Sequence, residues 1–140
     1  MRNGFTLSEM MLIFALIGII VGIGIPPLSS TLNRIEVSSA VSHIVSAHTR
    51  ARVMAVTKGR VMILAVDSVA LSIRERGLSE PIWSEAGPNL EGVSLAGPSR
   101  TFTFSPEGFS LGLSNATLVL QKGASEKTVI VSRLGRIRIH

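Results

Sequence analysis

The chain begins polar and then turns apolar for a long stretch. In "GFTLSEMMLIFALIGIIVGIGIPP", Gly4 to Pro27, nearly every position from Met10 to Ile25 is apolar or Gly, and no residue between Glu9 and Arg34 is charged. About 20 consecutive apolar residues cross a bilayer core as a helix, so the pattern predicts a membrane-spanning helix. Pro26 and Pro27 each lack a backbone donor, and a kink or melted stretch is expected there. From Leu28 to about Lys58, apolar residues recur at spacings of three and four (Leu28, Leu32, Ile35, Val41, Ile44, Val45, Ala51, Ala55). That period predicts an amphipathic helix, stopped by Gly59. Past Gly59 the period shortens. "VMILAV" (Val61–Val66) and "VALSIR" (Val69–Arg74) are predicted to pair across Asp67 and Ser68. "TFTF" (Thr101–Phe104) reads as a strand entering the turn "SPEG". "ATLVLQ" and "TVIVS" flank "KGASEK" as a hairpin, and "RIRIH" closes the chain as a strand. "GLSEPIWSEAGPNLEG" reads as a loop, and its Trp83 is expected to pack on the core, with cover of the sheet edge or contact with a neighbouring subunit as the alternatives. The fold class is α+β: a long N-terminal helix, membrane-spanning in its first half, packed on an antiparallel β-sheet domain.

Composition and charge narrow the chemistry. The part after the apolar span, Arg34 to His140, suffices for one small domain with a modest core. Absence of Cys excludes disulfides and thiolate metal sites. The formal net charge of +5 is uneven: Lys122, Lys127, Arg133, Arg136 and Arg138, against Glu126, place +4 of it between Lys122 and His140. A basic end on a nearly neutral body predicts a polyanion or an acidic lipid surface as partner. In a terminal strand, Arg136, Arg138 and His140 share one face, with Ile137 and Ile139 on the other. His43 and His48 lie about 140° apart around a helix, so they cannot grip one metal and read as solvated. No H-E-x-x-H, P-loop or G-x-S-x-G occurs, and the carboxylates are scattered. The reading is a non-enzyme without cofactor or metal.

Glu9 is the anomaly. An acidic side chain costs roughly 2.5–3.5 kcal/mol at the centre of a membrane helix, and less toward its ends. A carboxylate held there needs a partner or a task. "RNGFTLSE" followed by an apolar span resembles the class III signal of type IV pilins and type II secretion pseudopilins. The resemblance implies that a prepilin peptidase cuts between Gly4 and Phe5 and N-methylates Phe5. Residues 1–4 are then a leader, 5–33 the transmembrane and filament-core helix, and 34–140 the amphipathic helix with the C-terminal β domain. It further implies that Glu9 pairs with the N-terminal amine of a neighbouring subunit. A buried carboxylate beside a buried ammonium is tolerable where either alone is costly. Nothing like Ala-x-Ala follows the apolar run, so the helix is expected to stay in the mature protein. Arg2 on the cytoplasmic side satisfies the positive-inside rule. The chain is therefore expected to sit in the inner membrane as a single-pass protein, C-terminal domain in the periplasm, before entering a pilus or pseudopilus.

The rest of the chain carries a narrower resemblance. A helix ending "ARVMAVTKGR", the element "FTFSPEG" and the terminal "TVIVSRLGRIRI" are similar to the GspH/FimT family of minor pseudopilins and minor pilins, which implies a type IV pilin-like fold. Gly135–Arg138, G-R-x-R, is similar to the DNA-binding motif of FimT-type minor pilins. On that likeness Lys122, Lys127, Arg133, Arg136 and Arg138 are candidates for contacting double-stranded DNA in natural transformation. No aromatic residue interleaves them, so phosphate contact would outweigh base stacking. Related pseudopilins also end in Gly-Arg, and a structural role for Arg136 stays open. Three readings follow: a DNA-binding minor pilin, whose partners are other pilins and the prepilin peptidase; a GspH-like minor pseudopilin of a type II secretion system; and a membrane-anchored periplasmic binding module outside any filament.

Overall fold

The structure, a computed structural model, describes residues 4–112, 115–132 and 135–140. The chain divides into two compact units, Met1–Leu32 and Asn33–His140. One helix, α1 (Leu7–Lys58), contributes to both. The helix is assigned without a break through Pro26 and Pro27, so the melted stretch expected there is not found. A missing donor removes a hydrogen bond from one turn; the flanking turns keep theirs. In the first unit Met11, Phe14, Ile17, Ile20 and Ile23 are exposed, on a helix long and apolar enough to cross a membrane.

In the second unit the rest of α1 packs on β-structure. Its buried stripe is Val37, Ala40, Val41, Ile44, Ala47, His48, Ala51 and Ala55. This corrects the expected stripe at its start: Leu28 and Leu32 belong to the first unit, and Ile35 is 59% exposed.

The strands are β1 (Met62–Val66), β2 (Ala70–Glu75), β3 (Trp83–Ala86), β4 (Ser94–Ala96), β5 (Arg100–Phe104), β6 (Ser110–Leu111), β7 (Ala116–Lys122), β8 (Ser125–Val131) and β9 (Ile137–Ile139). Among the described residues they form two antiparallel sheets, β3-β2-β1-β5-β6 and β4-β7-β8-β9. Each predicted hairpin is present, with Leu64 opposite Ile73 in β1–β2 and Leu118 opposite Val129 in β7–β8. The segment read as a loop instead holds β3 and a 3-10 turn, Pro88–Glu91. Alternation sends Met62, Leu64, Val66, Leu71, Ile73, Phe102, Phe104, Leu118, Leu120, Val129 and Val131 into one core with the helix stripe. Trp83 packs against that core from β3, with the Arg50 guanidinium 5.0 Å from its ring centre.

Candidate functional site

The start of α1 explains how Glu9 is held within one chain. Gly4, Phe5 and Thr6 precede the helix. The Thr6 backbone N–H and hydroxyl both donate to Glu9 Oε2, at 2.7 and 2.8 Å. The Glu9 N–H donates back to Thr6 Oγ1 at 3.3 Å. This is a capping box: each residue satisfies a donor that the first helical turn leaves free. The carboxylate also sits at the positive end of the helix dipole. The T-x-x-E spacing of Thr6 and Glu9 is a sequence-level signal of such a cap, missed beside the pilin signal. Gly4 stands in open space, with no atom within 4 Å of where a Cβ would be.

The basic C-terminal set does not form one surface. On β9, Arg138 lies opposite Ile130, and Arg136 and Arg138 are exposed along a shallow groove with Asn115, Ile130 and Ser132. The turn before β9 is tied down by three contacts. The Gly135 N–H donates to the Ser132 carbonyl at 2.8 Å, the Ser132 N–H to the Arg136 carbonyl at 2.8 Å, and the Arg136 N–H to Ser132 Oγ at 3.1 Å. Gly135 has φ +76°, a left-handed conformation that favours Gly. Arg136 thus contributes its backbone to the turn and leaves its side chain outside. Arg133 lies outside the described residues.

Lys122 and Lys127 point the other way. Along β7, Lys122 is in phase with buried Ala116, Leu118 and Leu120; along β8, Lys127 is in phase with Val129 and Val131. Lys122 Nζ pairs with Glu36 at 2.7 Å and donates to the Glu91 carbonyl. Lys127 Nζ donates to Ser38 Oγ at 3.1 Å. Both therefore tie sheet to helix, on the opposite face from Arg136 and Arg138.

The two histidines part company. His43 is half-exposed and its Nδ1 lies 2.8 Å from Glu85. Beside it Ala40, Leu71, Ala86, Pro88 and Leu90 line a small apolar hollow. His48 is not solvated as expected. It is 4% exposed, with its ring edge-on to Phe102 and Phe104 at 5.8 and 4.8 Å. Burial, then the nearby Arg52 charge, lowers its pKa to about 4. Among the described residues no three His, Asp or Glu side chains converge as metal ligands.

No family model matches the chain. Over 99% of its length it is 26% identical to the pilin-like protein PilA1 of Thermus thermophilus, 98% of which is covered. Two crystal structures of the type IV minor pilin FimU from Pseudomonas aeruginosa are similar to it. One superposes with a TM-score of 0.60 at 19% identity, covering 76% of this chain and 90% of that one. The other gives 0.57 at 18%, covering 74% and 91%. At such identities the structures establish the fold.

Proposed function

We propose that this chain, a type IV pilin-like protein by its fold and its full-length sequence likeness, serves as a minor subunit of a type IV pilus. One observation carries the reading: an exposed apolar helix, capped by Thr6 and Glu9, leads into a pilin-fold domain. Exposed apolar surface of that extent needs a membrane or other helices around it. In this reading a prepilin peptidase removes residues 1–4 and methylates Phe5. The domain stands in the periplasm until the subunit joins other pilins. Glu9 Oε2 stays on the cap while the rest of the carboxylate receives a neighbour's N-terminal amine.

Two variants separate that pairing from capping. Glu9→Ala removes the carboxylate and the two hydrogen bonds that it accepts from Thr6, whereas Thr6→Ala removes the bonds of the Thr6 hydroxyl and keeps the carboxylate. Glu9→Ala should insert in the membrane, since losing a charge eases insertion, yet be depleted from sheared pili. Thr6→Ala, costing about 1 kcal/mol of helix capping, should still enter. Equal incorporation of Glu9→Ala and the parent would contradict the pairing.

The finer part of the proposal is contact with double-stranded DNA during natural transformation. Support comes from Arg138, exposed on the terminal strand, and Arg136, exposed in the turn that fixes it. Lys122 and Lys127, spent on the helix, are left out of it. Phosphate contact is sequence-independent and salt-dependent, and non-specific binders of this kind lie at roughly 10⁻⁴–10⁻⁶ M. Arg136→Gln with Arg138→Gln should weaken binding in a gel shift, while Lys127→Gln leaves it unchanged. A double variant that shifts DNA as well as the parent would remove the terminal strand from the account. If the parent shifts none at low salt, the type II secretion pseudopilin reading leads.

A further inference from the structure

Two surfaces on opposite sides of the β domain complement each other in shape and in sign. The first is the hollow beside His43, about 90 Å³ in volume, whose walls include Leu71, Ala86 and Pro88. Leu90, 80% exposed, stands at its edge, and Glu85 and Glu91 also line it. His43 Nδ1 lies 2.8 Å from Glu85 Oε1, and His43 Nε2 lies 4.0 Å from Glu91 Oε1. Ser39 Oγ donates to Glu91 Oε1 at 2.9 Å. Glu91 Oε2 is buried and has no hydrogen-bond partner among the described residues. A buried acceptor left without a donor is costly. Among the described residues neither carboxylate pairs with a Lys or Arg. The second surface is the groove along Ile130, Arg136 and Arg138. Both arginines are exposed, and no carboxylate pairs with them among the described residues. The topology holds these surfaces apart. Glu85 and Ala86 place the hollow at β3, one edge of the first sheet. The turn before β9 adjoins β6, the other edge, where a Cβ on Gly135 would lie 3.6 Å from Ser110 Cβ. Four strand spacings of about 4.8 Å separate β3 from β6. Arg138 does not reach across that span to the hollow of its own chain.

We propose that the hollow receives Arg138 from a second copy of this chain, so that copies associate head to tail. The inference rests on the pilus-subunit reading and adds to it a partner and a contact. The hollow is smaller than the cavity of about 150 Å³ that holds benzene, so it takes one side-chain stem rather than a small-molecule ligand. Its walls are apolar and its acceptors are carboxylates. An Arg suits both, with its stem along the wall and its guanidinium on the charges. The planar fork carries enough donors to bond Glu85 and Glu91 together. The last torsion of a Glu side chain is soft, so the Glu91 carboxyl can turn Oε2 toward such a donor. A second copy supplies a carboxylate partner for Arg138 and a cation for the hollow in one contact. Because the two surfaces differ and lie on opposite sides, the contact is heterologous. Each pair keeps one open hollow and one open terminal strand, so the contact repeats along a row. The copy at one end of the row keeps its own Arg136 and Arg138 free for DNA.

The chain has no Cys, so introduced thiols are the only ones present. Leu90→Cys marks the hollow. His140→Cys, in phase with Arg138 along the strand, marks the terminal end. Full chains in a non-ionic detergent are treated with a short bis-maleimide. A mixture of the two single variants should give a linked dimer at several-fold higher yield than either variant alone. A chain carrying both thiols should give a ladder. Arg138→Gln in the His140→Cys chain should cut the mixed yield several-fold, as should Glu85→Gln with Glu91→Gln in the Leu90→Cys chain. Glu91→Arg in one chain against Arg138→Glu in the other should recover links that each loses alone, a gain that misfolding cannot produce. Mixed yields no higher than those of the single variants, or yields indifferent to these substitutions, overturn the contact. Each single variant linking only to itself shows a two-fold contact and also overturns it. A Leu90→Cys chain that links only to a different pilin in filaments assigns the hollow to that partner and overturns it as well. The links need no filament, so the pilus-subunit reading fails separately, by absence of the chain from sheared pili.

Discussion

Lowering the pH from about 7 to about 4 should cost the domain about 3 kcal/mol of stability through His48 alone. The imidazole lies in the stripe between α1 and β5, against Phe102 and Phe104. Burial and the Arg52 charge hold its pKa at about 4, against 6.5 for a free side chain. In that window the unfolded chain binds a proton and the folded chain does not, so stability falls as pH falls. The contribution is complete above about 6.5 and gone once the folded site also protonates, near 4. A loss of that size is a large share of the roughly 5–15 kcal/mol that a domain has. Trp83, the single Trp, packs on the core and reports unfolding by its fluorescence. His48→Leu keeps an apolar filler and removes the titration. Carboxylates titrate in both proteins, so the difference between parent and variant isolates His48. The parent should lose ground to His48→Leu steadily from about pH 6.5 to 4. Parallel pH profiles would contradict the assignment.

Gly87→Ala should destabilise the same domain by about 1–3 kcal/mol, the range for forcing extra volume into a packed site. Gly87 has φ −83°, which any residue adopts, so the effect is one of space. A Cβ there would sit 2.6 Å from the Ser68 carbonyl oxygen and 2.7 Å from the Ala70 nitrogen. Both are backbone atoms of the β1–β2 turn. That turn is also hydrogen-bonded to this segment, Gly87 N–H to the Val69 carbonyl at 2.8 Å and Asn89 N–H to the Ser68 carbonyl at 2.9 Å. An added methyl must push the two segments apart and strain both bonds. Gly97→Ala, in open space though at φ +99°, tests backbone conformation without the clash. Thermal melts should show Gly87→Ala unfolding at the lower temperature. A Gly87→Ala melt matching the parent's would show that the turn yields freely.

Much of this fold was legible where local pattern and tertiary role agree. The apolar run, the β1–β2 and β7–β8 hairpins and the terminal strand follow from period and turn residues. His48 shows a pattern that was present and passed over. Val37, Val41, Ile44, His48, Ala51 and Ala55 recur at alternating spacings of four and three, so the stripe itself places His48 in the core. Residue type misled where position did not. The same holds for Lys122 and Lys127, whose alternation with Leu120 and Val129 puts them on the inner face. What sequence could not supply was long-range: that Glu36 and Ser38 would meet those lysines, that β3 would pair with β2, and that the strands would divide into two sheets. β3 is four residues long, and only Trp83 among them is more than slightly buried, which leaves almost no periodic signal. Lys122 and Lys127 join the DNA candidates by local charge count, and a count does not distinguish the two faces of a hairpin.

The measurement that bears most directly on the central claim is the intact mass of the chain recovered from sheared filaments and, separately, from membranes of the same cells. The account predicts a filament-associated chain that begins at Phe5 and carries one added methyl group. A chain that retains residues 1–4, stays in the membrane and is absent from the filaments would contradict it.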